Sequence, residues 1–122
     1  MGVFTGTCTR TKFPARCISG GRLEPGFFTL GSSGGIWNGD GWDPDSSTNC
    51  TLFATEFETE DDSVAIKSGK NPEGNAINRP TKHICVFDCH SNGGHGICIG
   101  SEMSGGVADV QIWDRDIAAS SN

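Results

Sequence analysis

Asn49-Cys50-Thr51-Leu52-Phe53, His83-Ile84-Cys85-Val86-Phe87 and Asp109-Val110-Gln111-Ile112-Trp113 lay over one another. In each, apolar residues alternate with others at period two, the pattern of a half-buried strand. The first two are each followed by a turn and a second short strand, Val64-Ala65-Ile66-Lys67-Ser68 and Ile97-Cys98-Ile99-Gly100-Ser101. Alternation places Val64 and Ile66 on one face, and Ile97 and Ile99 on the matching face. The spacing is 34 residues from Cys50 to Ile84 and 26 from Ile84 to Val110. The longer interval holds Lys70-Asn71-Pro72-Glu73-Gly74-Asn75-Ala76-Ile77-Asn78-Arg79-Pro80, which reads as an inserted loop. Without it the unit is a coil of roughly 23–26 residues, within the range of solenoid repeats. The expected fold is therefore all-β: stacked coils of parallel strands, each burying its face against its neighbours.

Composition agrees. The 122 residues make at most one domain, with 18 glycines and 34% hydrophobic residues, a balance that favours short strands and tight turns. No helix is assigned anywhere. Residues 1–36 lack the repeat, although Phe27-Phe28-Thr29-Leu30 reads as one strand. The chain is accordingly divided into an N-terminal segment of unclear fold (1–36) and solenoid coils carrying the site (37–122).

The net charge of −6 excludes a nucleic-acid backbone as ligand, because no basic patch is present to replace counterions. No stretch is long and apolar enough to span a membrane. The start lacks a charged region followed by an apolar one, so no secretory signal is visible. The six cysteines are irregularly spaced and leave the redox compartment and the disulfide pairing open. Asn49-Cys50-Thr51 fits the short glycosylation pattern.

Candidate chemistry centres on acids. Asp40 precedes Asp62 by 22 residues, about one coil. Aligning Ile66-Lys67-Ser68 with Ile99-Gly100-Ser101 puts His95 directly over Asp62. With neighbouring coils about 4.8 Å apart, Asp40, Asp61, Asp62 and His95 form a ladder up one face. Carboxylates this close repel, so one is expected to hold its proton beside an ionised partner. Glycoside hydrolysis needs that pairing: an acid for the leaving oxygen and a base for water. Asp61 and Asp62 are chain neighbours, so both reach one cleft only if the backbone turns or bulges, which Glu58-Thr59-Glu60 would permit.

Three stretches carry a resemblance. Asn38-Gly39-Asp40-Gly41-Trp42-Asp43-Pro44, Asp61-Asp62-Ser63-Val64-Ala65-Ile66-Lys67-Ser68-Gly69 and Gly94-His95-Gly96-Ile97-Cys98-Ile99-Gly100-Ser101 resemble, in order and spacing, signature motifs of the polygalacturonases of glycoside hydrolase family 28. The resemblance covers residues 38–117. It implies a right-handed parallel β-helix, truncated relative to the family. It also implies hydrolysis of α-1,4-galacturonan with inversion, no cofactor or metal, and an extracellular or periplasmic location. Carried over, Asp61 is the general acid, Asp40 and Asp62 activate water, and His95 tunes the acid or holds substrate. Asn38 supports Asp40 and is, with Lys67, a candidate substrate-binding residue. Acids one coil apart would by separation alone favour retention; the resemblance favours inversion, and its motif set is followed. The family's Arg-Ile-Lys motif, which binds the substrate carboxylate, has no counterpart here, and Arg115 does not match it. Weak or absent activity of the isolated chain is therefore expected. Ser63 stands where cysteine is common.

Other readings stand beside this one. Lys67 either contacts a sugar acid, as a substrate-binding residue, or covers the solenoid surface. Trp37, Trp42 and Trp113 either stack on sugars, or pack in the core or cover coil edges. Cys85, Cys89, His90 and His95 lack the spacing of a zinc knuckle. A non-catalytic solenoid with open ends is the rival to the enzyme, associating head to tail into oligomers or filaments.

Overall fold

A computed structural model describes residues 38–118, together with the backbone of three short strands before them. Those are β1 (Cys8–Arg10), β2 (Phe13–Ala15) and β3 (Phe28–Gly31). They are followed by β4 (Thr48–Glu58), β5 (Asp62–Ile66), α1 (Glu73–Ile77), β6 (Thr81–Ser91), β7 (Gly96–Ile99) and β8 (Val107–Ile117). Trp37 lies outside the described residues.

β4, β6 and β8 are parallel neighbours in one six-stranded sheet. Their register is the one the repeat predicts: Cys50 opposes Ile84, and Ile84 opposes Val110. β3 joins the same sheet parallel to β4, while β1 pairs antiparallel with both β2 and β4. β5 and β7 form a second parallel pair, with Val64 opposite Ile97 and Ile66 opposite Ile99. The segment 41–45 extends that second face by one level through parallel bridges of Trp42 to Val64 and Asp45 to Lys67.

Alternation sorts the side chains. Cys50, Leu52, Ile84 and Val86 point inward and are fully buried. Val64 and Ile66 meet them from β5, and Trp42, Ile97, Val110 and Ile112 pack against the same core. On the other face Phe53, Phe87 and Trp113 stack in register, with ring centroids 5.5 Å and 4.8 Å apart. Trp113 thus covers the ladder at the last coil, and Trp42 is a core-packing residue.

The long strands are bent ribbons. Asn49, His83 and Asp109 all have positive φ, and so do Ala54, Asp88 and Asp114. Members of each set are 34 and 26 residues apart, the spacing of the ladder itself. Each set is one corner of the coil repeated at successive levels. Asn, Asp and His tolerate left-handed backbone better than other side chains, which explains five of the six.

The inserted loop contains a helix the sequence reading does not assign. α1 is five residues long and ends at Asn78, whose left-handed backbone donates its N–H to the Gly74 carbonyl. Gly74 is buried against Gly69: a Cβ there would lie 2.7 Å from the Gly69 carbonyl carbon. Among the described residues no helix is long and apolar enough to cross a membrane.

Candidate active site

The turn between β4 and β5 carries the paired acids. Asp61 lies in a bend and Asp62 opens β5, as the need for a turn predicts. The bend is pinned from several sides. Thr59 Oγ1 donates to the Asp61 carbonyl at 3.1 Å. His95 N donates to the same carbonyl at 3.1 Å, and Gly41 N donates to the Asp62 carbonyl at 2.9 Å. Beneath it, the buried Ser63 and Ser91 hydroxyls are 2.5 Å apart, and Thr59 Oγ1 lies 3.3 Å from Ser63 Oγ. Ser63, at the position the resemblance gives to cysteine, thus joins the turn to β6.

The pairing differs by one residue from the expected one. A register shift between Asp62 and Val64 inserts Ser63 as an extra residue, so Asp62 opposes Gly96 and not His95. His95 falls beside Asp61 instead. Its Nδ1 lies 2.9 Å from Asp61 Oδ1 and 3.5 Å from Asp62 Oδ1, so one imidazole nitrogen faces both acids. The bulge thereby resolves the problem of two consecutive acids on one strand: it turns both carboxylates to one cleft.

Gly94 makes the approach possible. Its φ is +67°, and a Cβ there would stand 2.0 Å from the Asp61 carbonyl oxygen. Gly96, with φ of +79°, continues the turn into β7.

Asp40 sits on the adjoining level. Its carboxylate takes the Asp62 backbone N–H and the Lys67 ammonium, the latter at 2.9 Å. Burial pushes the Asp40 carboxyl up, but the hydrogen bonds from Lys67 and Asp43 and the Lys67 charge outweigh it, and the net shift is downward. Lys67 also donates to Asp43 Oδ2 at 2.8 Å and lies 3.9 Å from Glu102 Oε2. Burial and the charge of Asp40 leave Asp43 above the ordinary value despite Lys67, so the two acids on one ammonium are unequal. Lys67 itself is lowered by burial but raised further by Asp43 and Asp40, and stays charged. Asn38 is exposed, two residues before Asp40, with φ of 57°.

The structure therefore brings Asp61, Asp62 and His95 together, with Asp40 alongside through Asp62 and Lys67. Asp43, Glu102 and Cys98 are contacts that sequence reasoning missed. Cys98 Sγ donates to Asp62 Oδ1 at 2.9 Å. The signal for Asp43 was its place in the first motif, and nothing in the spacing pointed to Lys67 as its partner.

Among the described residues Cys85, Cys89, His90 and His95 do not converge as a group. Cys89 is buried, with its thiol pushed up to about 11 chiefly by burial, and His95 lies in the turn before β7. Among the described residues the potential metal-ligating side chains that do converge are Asp61, Asp62 and His95, with ligand atoms within 4.8 Å of one another. Such a cluster suits proton transfer equally well.

Comparison with known proteins agrees with the motifs. The profile of "Glycosyl hydrolases family 28" matches residues 22–122. A probable polygalacturonase of Vitis vinifera is 42% identical over 79 residues, which cover 63% of this chain and 16% of the relative. An endo-polygalacturonase of Pectobacterium carotovorum subsp. carotovorum is 36% identical over 85 residues, covering 70% of this chain and 19% of the relative. Among solved structures, a hyperthermoactive exopolygalacturonase from Thermotoga maritima superposes with a TM-score of 0.57 at 42% identity, covering 62% of this chain and 18% of that one. The chain thus spans less than a fifth of the length of each of these relatives. The fold they share is the right-handed parallel β-helix.

Proposed function

The chain belongs to glycosyl hydrolases family 28, and from this membership we propose that its acids hydrolyse α-1,4-galacturonan outside the cell, with inversion at the anomeric carbon. Asp61 gives its proton to the glycosidic oxygen as the bond from the anomeric carbon breaks. Water forms the new bond to that carbon from the opposite face, and its proton passes to Asp40 or Asp62. His95 orients the Asp61 carboxyl through Nδ1. Asn38 shapes the turn that leads to Asp40.

One observation carries this reading: Asp61, Asp62 and His95 converge from two adjacent coils within 4.8 Å. The bulge at Ser63 and the close approach that Gly94 permits both support that convergence. The cluster is acidic, and among the described residues its ammonium, Lys67, is already bound to Asp40 and Asp43. A polyanionic substrate therefore finds little attraction in the cluster itself, and slow turnover by the 122-residue chain follows.

The test is release of reducing ends from polygalacturonic acid by wild type, Asp61→Asn and Asp62→Asn, with the anomeric configuration of the first product read by proton NMR. Release that both variants lose, with β-galacturonate formed first, supports the reading. Release unchanged in both would overturn it.

A second reading has its own observation. Among the described residues β8 has β6 on one side and no strand on the other. Ile99, Met103, Trp113 and Ile117 are exposed near that end. A non-catalytic solenoid would associate through this edge. Light scattering that rises with concentration equally in wild type and Asp62→Asn, with no sugar release, would favour it.

A further inference from the structure

We propose that Lys67 is a positioning residue: it holds Asp40 as an oriented carboxylate beside the Asp61-Asp62 turn and does not bind the carboxylate of the substrate. The catalytic importance of Asp40 rests on the hydrolase reading above, whereas the hold of Lys67 on Asp40 does not.

An ammonium has three N–H groups and no acceptor. In Lys67 two of them are taken by Asp40 Oδ2 at 2.9 Å and Asp43 Oδ2 at 2.8 Å. The nearest further group is Glu102 Oε2 at 3.9 Å. These groups come from different levels of the solenoid: Asp40 and Asp43 from the segment before β4, Lys67 from just after β5, and Glu102 from the turn after β7. The lysine backbone is fixed as well. Its N–H donates to the Pro44 carbonyl, and its own carbonyl accepts from Ser46 N and Thr81 Oγ1. A side chain tied at both ends is poorly suited to follow a substrate and well suited to fix a neighbour.

The charges around Asp40 make the hold necessary. Facing it are Asp43 on its own segment, Asp62 on β5, Lys67 just after it, and, further off, the Cys98 thiol on β7. Lys67 is the cation in this group. Without it Asp40 loses a hydrogen bond and a neighbouring positive charge, both of which favour its ionised form and fix its orientation across the gap from Asp43. The direction of the Asp40 shift, downward despite burial, is consistent with that hold.

The experiment has two arms on the whole chain. In the first, the carboxyl carbon of Asp40 is titrated by carbon-13 NMR in wild type, Lys67→Met and Lys67→Arg. A midpoint that rises in Lys67→Met and stays low in Lys67→Arg is the expected result. An unchanged midpoint in Lys67→Met overturns the proposal. In the second, hydrolysis of polygalacturonic acid is followed for the same proteins. The expected result is a kcat about tenfold lower or worse in Lys67→Met with KM within about twofold of wild type. A raised KM with unchanged kcat would make Lys67 a substrate clamp and overturn the proposal. Should Lys67→Met lose its circular dichroism, Lys67→Gln goes through both arms with the same outcomes. If wild type releases no sugar, the hydrolase reading fails, and the titration alone decides the role of Lys67.

Discussion

His95 Nδ1 lies 2.9 Å from Asp61 Oδ1, a contact between two coils that a one-residue bulge creates. Asp61→Asn keeps the shape of this contact but removes the transferable proton. Reducing-end release should fall about 10²–10⁴-fold, with the circular dichroism spectrum unchanged. His95→Ala should cost less, since the acid itself remains. A loss below about tenfold in Asp61→Asn would assign the acid to another residue.

Gly94→Ala should destabilise the chain and damage the site together. The new Cβ would stand 2.0 Å from the Asp61 carbonyl oxygen, on a backbone with φ of +67°. Left-handed backbone alone costs about 1–2 kcal/mol for a residue with a Cβ, and the clash adds to it. Chemical denaturation should show a loss of roughly 3 kcal/mol or more. A variant as stable as wild type would mean that the His95 turn is not packed on the Asp61 bend.

Acid should weaken the fold through Asp40. Burial raises its carboxyl, but Lys67, Asp43 and the Asp62 N–H bring it below the ordinary 3.8. A depressed acid contributes stability that is complete above its unfolded value and disappears as pH falls through the folded one. The thermal midpoint of wild type should drop as pH falls through and below the ordinary carboxyl value of 3.8, and Asp40→Asn should flatten that slope. Equal slopes in the two proteins would remove Asp40 from the list of stabilising acids.

Cys98 offers a chemical probe of Asp62. Its thiol is pushed up to about 11, first by burial and then by its hydrogen bond to Asp62 and the charges of Asp62, Asp61 and Asp40. Only the thiolate is alkylated, so iodoacetamide should label Cys98 slowly at about pH 8. Asp62→Asn removes a negative charge from beside the sulfur and should speed labelling about tenfold at about pH 9, as read by peptide mass spectrometry. No change would mean that Sγ does not face Asp62.

Much of the architecture was legible because a solenoid writes its register into the sequence. Cys50, Ile84 and Val110 occupy one column, and alternation alone found it. The site was legible in outline: Asp61, Asp62 and His95 meet as the motifs imply. The bulge at Ser63 was not, because a single polar residue before Val64 reads equally well as part of a regular strand. The helix at 73–77 was too short to show a period, and Gly74 and the flanking Pro72 argue against one. The commitment of Lys67 to Asp43 was hidden for another reason. The two are 24 residues apart, and the bridges of Trp42 to Val64 and Asp45 to Lys67 bring their levels together.

The repeated corners at Asn49, His83 and Asp109, and at Ala54, Asp88 and Asp114, have a consequence for how such chains diversify. Successive coils differ in length, yet the corners stay aligned: of the eight surplus residues seven fall between Ile66 and Thr81, where α1 lies, and one is Ser63 in the bulge. Residue count is thus free to change on that side while the acids on the opposite approach keep their heights. A change of length in that excursion leaves the levels of Asp61, Asp62 and His95 in place. An alignment anchored on the corners will detect kinship that one scored on uniform repeat length would overlook.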